Sequence, residues 1–266
     1  MFAVLRKQAL VWDPFTGDQH RIALPPRFDS EEPLTNGAVL RAAGDVHFQV
    51  VLVVQATDDR VLGCVYSSDT GLWGNLISAP LPSTNNLSRM PAVLVGDSLY
   101  WTVIGNIPGI LKFDLERQSL AVIPLPMDML EEENELTVMR AEDGGLGFLF
   151  VSQEDLSAQL WKRKADCDGV ASWELGRTIK LDKLLSLNSE MERDCIVILG
   201  FAECNNVVFL WTFVGLFMVE LESLQFKKVC KAYDVVCCRP FECVYAAGNS
   251  TPLHCTYNKT IFLTTG

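Results

Sequence analysis

Apolar and polar residues alternate along several short stretches of this chain, in the pattern of β-strands that turn one face to a core. Residues 111–116 read LKFDLE, and residues 217–222 read FMVELE. The two stretches also align beyond the strand, because apolar residues follow at matching distances, Leu120 in the first and Phe226 in the second. The pattern predicts a hairpin that the chain uses twice.

The same unit of strand, turn and returning strand occurs at other places. Residues 11–17 read VWDPFTG, residues 65–71 read VYSSDTG, and a weaker copy covers residues 160–173. The residues that enter the five turns are Asp13, Ser67, Asp114, Asp166 and Glu220. They recur at intervals of about fifty residues, which is the period of a four-stranded propeller blade of the kelch kind. We therefore expect an all-β fold, a β-propeller of about five to six four-stranded antiparallel blades, complete or incomplete.

Further strand pairs lie between these units. Residues 93–101 contain two apolar runs around a tight turn at Gly96 and Asp97, and residues 196–213 repeat this arrangement. Strands packed between neighbouring blades are covered on both faces, which explains runs that are apolar throughout. The longest such run, residues 207–219, has about thirteen residues and is too short to span a bilayer as a helix. Gly215 divides it into two strand-sized halves.

Helical patterns are sparse. The best covers residues 181–191, with Asp182 as a candidate cap, and we interpret it as a loop or a short helical insertion. Two acidic segments also stand out, residues 29–32 and residues 131–135. Each could contact a basic partner, but a solvated connection between blades is the favoured interpretation.

Charge and cysteine usage narrow the choice of partners and compartment. The formal net charge of -11 opposes binding to nucleic acid or to an anionic membrane, so neither is expected as a partner. Nine cysteines, with no C-x-x-C pair, fit reduced thiols in a cytoplasmic or nuclear protein. The first twelve residues are too weakly apolar for a signal peptide, so the N-x-S/T sequons at Asn86, Asn249 and Asn258 are interpreted as chance matches.

No catalytic motif is recognisable in the sequence. The three histidines, His20, His47 and His254, do not fall at spacings that pair them with a nucleophile or a second ligand. The glycines at 144, 145 and 147 resemble a phosphate loop only in part and indicate a β-turn instead. We expect no catalytic residues, no cofactor-binding residues and no cofactor.

Two groups of residues have a structural and a functional interpretation. One is the cysteine-rich C-terminal region, comprising Cys230, Cys237, Cys238, Cys243 and Cys255, with His254 beside the last. Their spacing matches no zinc motif, so small buried side chains are favoured over a metal site. The other group is the six tryptophans, for which packing between blades is favoured over a ligand-binding aromatic set.

Taken together, these motifs resemble the propeller that follows the F-box in a large group of plant F-box proteins. The matching stretches are residues 11–17 with 24–25, 65–73, 96–101, 110–126 and 215–221. The resemblance implies a non-catalytic protein-binding domain, similar to the substrate-recognition module of a Skp-cullin-F-box ubiquitin ligase. It also implies a protein target as partner, with the cullin adaptor as a second partner only where an F-box lies upstream.

Residue 1 lies about ten residues before the first turn motif, so we expect one propeller domain over residues 1–266 without an F-box. We also expect the N-terminal edge strand to pair with residues 260–263, since an open edge would favour aggregation. Two alternatives remain: a propeller enzyme with paired carboxylates in a central channel, and a truncated fragment without a partner.

Overall fold

The computed structural model describes residues 2–5, 8–12, 16–25, 28, 35–41, 47–56, 58–126, 134–165, 170–187, 195–202 and 206–231. The chain divides into two compact units, Met1–Glu132 and Glu133–Gly266. The single domain expected over residues 1–266 stays a prediction, and the two units are described separately.

Unit 1 contains three antiparallel sheets. Sheet 1 has the order β1-β2-β3, with β1 at Phe2–Leu5, β2 at Gln8–Trp12 and β3 at Gln19–Ala23. Sheet 2 has the order β4-β5-β6-β7, with β4 at Thr35–Leu40, β5 at Gln49–Gln55, β6 at Arg60–Ser67 and β7 at Leu72–Trp73, while β8 at Ile77–Pro80 also pairs with β6. Sheet 3 has the order β10-β11-β12-β13, with β10 at Val93–Val95, β11 at Ser98–Gly105, β12 at Gly109–Asp114 and β13 at Ser119–Pro124, while β9 at Asn85–Leu87 also pairs with β11.

Unit 2 contains two antiparallel sheets and one short helix. Sheet 4 has the order β14-β15-β16-β17, with β14 at Glu135–Arg140, β15 at Leu146–Ser152, β16 at Ser157–Ala165 and β17 at Ala171–Lys180. Helix α1 at Leu181–Leu185 follows it. Sheet 5 has the order β18-β19-β20-β21, with β18 at Val197–Ala202, β19 at Val207–Thr212, β20 at Gly215–Glu220 and β21 at Phe226–Cys230.

The predicted repeat is confirmed by the sheets. Ser67, Asp114 and Glu220 end the third strand of sheets 2, 3 and 5, so each enters the turn to the fourth strand. Asp13 lies outside the described residues, directly after β2, and so does Asp166, directly after β16. The matched hairpins also agree in burial, because β12 and β20 show the same order of buried and half-buried residues along their length. The described part of the chain holds five sheets.

In sheets 2 and 5, the second strand is covered on both faces. The side chains of residues 50–54 on β5 are all buried, and so are those of residues 207–210 on β19. Between sheets 2 and 3, the fully buried Trp101 packs in one cluster with Val51, Val53 and Phe113. Burying so much apolar area is the main favourable term in the stability of such a core. In the described residues, no helix is long and apolar enough to cross a membrane.

The helical insertion is shorter than its sequence pattern, and its predicted cap is wrong. Helix α1 begins at Leu181, and Lys180 is its N-cap. Asp182 lies inside the first turn, where its negative charge interacts favourably with the helix dipole. The Leu181 amide donates to the Leu156 carbonyl at 2.8 Å, so this end of the helix is satisfied by the neighbouring turn without a side-chain cap. Residues 188–191 lie outside the described residues.

Candidate functional site

Sheets 2, 3 and 5 end in the same way at one side, which we call the repeat end. It carries the turn from the first to the second strand and the turn from the third to the fourth. In each sheet the amide that follows the third strand donates to a carbonyl of the first turn: Ser68 to Phe48 at 2.9 Å, Leu115 to Asp97 at 3.0 Å, and Leu221 to Asn206 at 2.9 Å. This shared main-chain bond fixes the two turns of each sheet against each other.

The turns that lead into the last strand of sheets 1, 2, 3 and 5 share a second feature. Four residues after the turn-entry position, the backbone has a positive φ: Gly17 (79°), Gly71 (69°), Gln118 (50°) and Leu224 (58°). The carboxylates at the turn entry cap their own turns, since Asp114 accepts the Arg117 amide at 2.9 Å and Glu220 accepts the Ser223 hydroxyl at 2.7 Å. The bond from Arg117 lowers the pKa of Asp114. Asp114 and Glu220 thus act in the structure of their own turns.

The opposite side of each sheet, which we call the variable end, carries the turn from the second to the third strand. Its exposed side chains differ from sheet to sheet. They are Asp58 and Asp59 in sheet 2, Ile104 and Ile107 in sheet 3, Glu154 and Asp155 in sheet 4, and Phe213 and Val214 in sheet 5. Among the turns that the structure describes at this end, each unit therefore has one acidic and one apolar turn.

The apolar turn of sheet 3 is held rigidly although its side chains are exposed. Ile107 is 57% exposed and Ile104 is 44% exposed. The side chain of Asn85, only 2% exposed, accepts the Ile107 amide at 3.2 Å and donates to the Ile107 carbonyl. Pro108 follows and restricts the backbone of Ile107 further. The two isoleucines are presented to solvent in one fixed arrangement.

The acidic turn of sheet 2 is joined to this apolar turn through the segment that precedes β9. The Asp59 carboxylate accepts the Ser83 amide at 2.7 Å, and the Thr84 carbonyl accepts the Asn106 amide at 3.4 Å. Hydrogen bonds from Ser83 lower the pKa of Asp59, so its charge is retained at neutral pH. Asp58, Asp59, Ile104 and Ile107 thus form one surface of unit 1, which we call the Ile107 surface.

In unit 2, sheets 4 and 5 are joined at their variable ends by Gln153. Its side chain accepts the Ile196 amide at 2.9 Å and donates to the Ile196 carbonyl at 2.7 Å. Gln55 of unit 1 has the same place after a second strand and donates to the Asn85 carbonyl. Both glutamines fasten the turn of one sheet to the leading segment of the next.

Glu135 corrects the interpretation of residues 131–135 as a solvated connection. Residues 131–133 lie outside the described residues, but Glu135 begins β14 and is half-buried. Burial raises the pKa of Glu135 to about 7, while the Ile198 amide donates to its carboxylate and acts in the opposite direction. Desolvation therefore disfavours the charged form of Glu135, and this residue does not lie in a solvated connection. Residues 29–32 also lie outside the described residues.

The other candidate residues occupy structural positions where the structure describes them. The rings of His20 and Phe48 are in contact, with centroids 5.1 Å apart and planes tilted by 53°. His47 lies 3.7 Å from the Asp69 carboxylate, and both side chains are mainly exposed. Gly144 belongs to a turn closed by the Ala141 carbonyl, as expected. Trp73 donates its indole N–H to the Ala23 carbonyl at 2.8 Å, which joins β7 to β3.

The described residues contain no group of three His, Cys, Asp or Glu side chains that could hold a metal ion. Burial raises the pKa of the Cys64 thiol to about 12, which makes it a poor nucleophile. The cluster of Cys237, Cys238, Cys243, Cys255 and His254 lies outside the described residues, and so does the 260–263 pairing.

Sequence reasoning missed Asn85, Ile104 and Ile107. The signal was present in part, since an Ile-Pro pair in a turn between two apolar strands places an apolar side chain where a polar one is usual. Asn85 gave no signal, because it is 22 residues from its partner and stands in a polar stretch that reads as a loop.

Repeated antiparallel sheets, each built mainly of consecutive strands, define a β-propeller. The chain belongs to the family described as "F-box protein AT5G49610-like, beta-propeller", whose profile matches residues 5–245. The match runs through both units and confirms the resemblance derived from the sequence motifs.

Several solved structures match the chain at low identity. The WD40 domain of SCAP from fission yeast is 13% identical, with 85% of this chain and 48% of that chain covered and a TM-score of 0.44. An ACO/RPE65 chimera is 9% identical, with 94% and 61% covered and a TM-score of 0.45. The chain thus spans about half the length of the solved structures it matches. No curated protein sequence matches it.

Proposed function

We propose that this propeller is a non-catalytic protein-binding domain that holds its target at the variable end of its sheets. The observation that carries the proposal is the Ile107 surface, where Asn85 fixes both backbone polar groups of Ile107 while its side chain stays in solvent. Exposed apolar residues on a pre-ordered turn lose little entropy on binding and bury apolar area when a partner covers them. Membership of an F-box propeller family supports the same function.

The repeat end serves a different purpose in this proposal. Its turns use their acidic side chains and amides internally, in the same way in several sheets. Such turns maintain the sheets, whereas turns that differ between otherwise equivalent sheets are free to carry recognition. The target contact is therefore assigned to the variable end.

An affinity capture with three versions of the tagged chain tests this assignment. Wild type, the double variant I104S/I107S, and L72S are compared in plant cell extract by quantitative mass spectrometry. Leu72 is the matched control, since it is 68% exposed and begins β7 directly after the β6–β7 turn at the repeat end. We expect a set of proteins that wild type and L72S retain and I104S/I107S loses.

The strongest member of that set is then purified and its affinity for the three versions is measured directly. Equal affinity for wild type and I104S/I107S, with both correctly folded by circular dichroism, contradicts the proposal. Loss of binding only in L72S moves the contact to the repeat end and contradicts it as well.

We further propose that the bound target is presented to a Skp-cullin-F-box ubiquitin ligase when an F-box precedes this propeller. A version with an F-box joined upstream of residue 1 is compared with the chain itself. Both are expected to bind the same target, and only the extended version is expected to bind the adaptor and to support ubiquitination of the target. Adaptor binding by the propeller alone contradicts this division of roles.

A further inference from the structure

The Ile107 surface combines carboxylates with apolar side chains. The turns that carry these side chains are joined by hydrogen bonds. Asp59 is bonded to Ser83, the next residue Thr84 is bonded to Asn106, and Asn106 precedes Ile107. The turn that carries the carboxylates and the turn that carries the isoleucines are therefore joined at the variable end of unit 1.

The basic residue that follows these carboxylates in the chain is hydrogen-bonded to another partner. Arg60 follows Asp59 in the chain, but its guanidinium donates to the Ser78 hydroxyl on β8. Asp58 and Asp59 are both exposed, and the whole chain carries a formal charge of -11. The field at this surface attracts cations and repels acidic partners.

From this juxtaposition we infer the chemistry of the partner: a linear segment in which an apolar side chain, seated on Ile104 and Ile107, is flanked by Lys or Arg that pair with Asp58 and Asp59. The inference rests on the proposed protein-binding function and specifies its target class. Apolar contact supplies affinity, while the flanking cations select the segment and orient it.

The geometry favours a segment over a broad protein surface. The turn of sheet 3 projects only two exposed isoleucines, and Gly105 between them has a positive φ of 127° with no room for a side chain. The contact area is therefore narrow, and a short extended stretch can cover the isoleucines and reach the carboxylates. A basic segment is also opposite in sign to the whole-chain charge of -11, which speeds encounter.

Synthetic peptides of about twelve residues test the inference by fluorescence polarisation with the full chain. One peptide has a central pair of leucines with lysine and arginine on both sides. A second keeps the leucines with glutamate flanks, and a third keeps the basic flanks with serine at the centre. We expect the apolar-basic peptide to bind at least about tenfold more tightly than either of the others.

Variants of the chain then assign the preference to individual groups. D58N/D59N keeps the shape and the amide acceptor at residue 59, and Asn tolerates the φ of 57° that Asp59 adopts. It is expected to reduce the preference for basic flanks to about twofold, and I104S/I107S is expected to remove binding of all three peptides. L72S and D97N are the matched controls, because Leu72 and Asp97 are exposed at the repeat end, and both should bind as wild type does.

Four outcomes overturn the inference. Equal binding of basic and acidic peptides removes the role of the carboxylates. A loss in D97N as large as that in D58N/D59N shows a general charge effect. A dimer in light scattering that I104S/I107S abolishes shows that a second copy of the chain occupies this surface. Failure of the peptides, with capture still dependent on Ile104 and Ile107, rejects the basic segment and leaves the binding function intact.

Discussion

The two ends of the sheets differ in how much of their structure depends on side chains. At the repeat end, sheets 2, 3 and 5 form the same amide-to-carbonyl bond between their two turns, with different residues at each position. At the variable end, a single buried side chain, Asn85, holds the turn of sheet 3. The comparison teaches that one end maintains the fold and the other is specialised sheet by sheet.

The largest expected effect is the difference in stability between a glycine substitution at the variable end and one at the repeat end. A Cβ at Gly105 would collide with the Thr84 carbonyl and lie 2.7 Å from the Asn85 Cα, at a φ of +127°. A Cβ at Gly71 meets nothing within 4 Å, at a φ of +69°. We expect G105A to lower the free energy of unfolding by about 3–4 kcal/mol and G71A by about 1 kcal/mol. Urea denaturation of both variants measures the difference, and equal losses would break the comparison.

The second effect is a pH dependence at the variable end of sheet 4. Because burial raises the pKa of Glu135 to about 7, the folded state holds a proton that the unfolded state releases near pH 4.5. The stability that this bound proton contributes is therefore fully present below the unfolded pKa of 4.5 and is lost as the pH rises through about 7.

E135Q removes this dependence. Wild type is expected to lose roughly 2–3 kcal/mol relative to E135Q between pH 4.5 and pH 8, measured as the difference of their urea midpoints at each pH. D155N is a control, since Asp155 is exposed and paired with Lys180 at 2.6 Å. Its carboxylate has a lowered pKa, so its titration falls below that range. Parallel pH profiles of wild type and E135Q would show that Glu135 is not desolvated.

The third effect tests whether Asn85 fixes the Ile107 surface. N85A removes an acceptor and a donor from Ile107, and we expect a loss of about 2 kcal/mol together with faster hydrogen exchange at residues 105–108. N86A changes the exposed neighbour and should leave both quantities as they are. Unchanged exchange in N85A would mean that the turn orders itself without the asparagine.

The smallest effect lies at the repeat end. Gln118 has a positive φ at the position where sheets 1 and 2 have glycine, Gly17 and Gly71. Q118G relieves this strain and is expected to raise stability by about 0.5 kcal/mol, whereas Q118A keeps the Cβ and should not. The two variants are compared side by side by thermal unfolding, because a stability change of this size is resolved only as the difference between their melting temperatures. A gain in Q118A of the same size would falsify the role of φ.

The repeat end was predictable from the sequence because its determinants are local. Alternation along β12 and β20, and turn residues at a fixed distance from the strand end, are visible in a window of a few residues. The same reasoning failed for Glu135, whose neighbours in sequence are acidic. Its environment is set by β18, more than sixty residues away, whose Ile198 amide reaches its carboxylate.

Two tryptophans show that sequence reasoning also fails to predict register within correctly predicted strands. Trp101 and Trp211 both lie on second strands, but Trp101 is opposite Leu111 and Trp211 is opposite Leu216. In the repeat, Leu111 corresponds to Phe217, so the two indoles differ by one position in register. Trp101 is fully buried and Trp211 is half-buried, since a shift of one residue turns a side chain to the other face. Strand identity was readable from the sequence, and register was not.

The amide-to-carbonyl tie of the repeat end has a consequence for how this protein can change over generations. Every residue except proline owns both of the groups that such a tie requires, so almost no substitution at Ser68, Leu115 or Leu221 deletes it. Mutations can accumulate there with little harm to the architecture. A scaffold of this kind tolerates drift in its sequence and lets new specificities arise at the opposite turns.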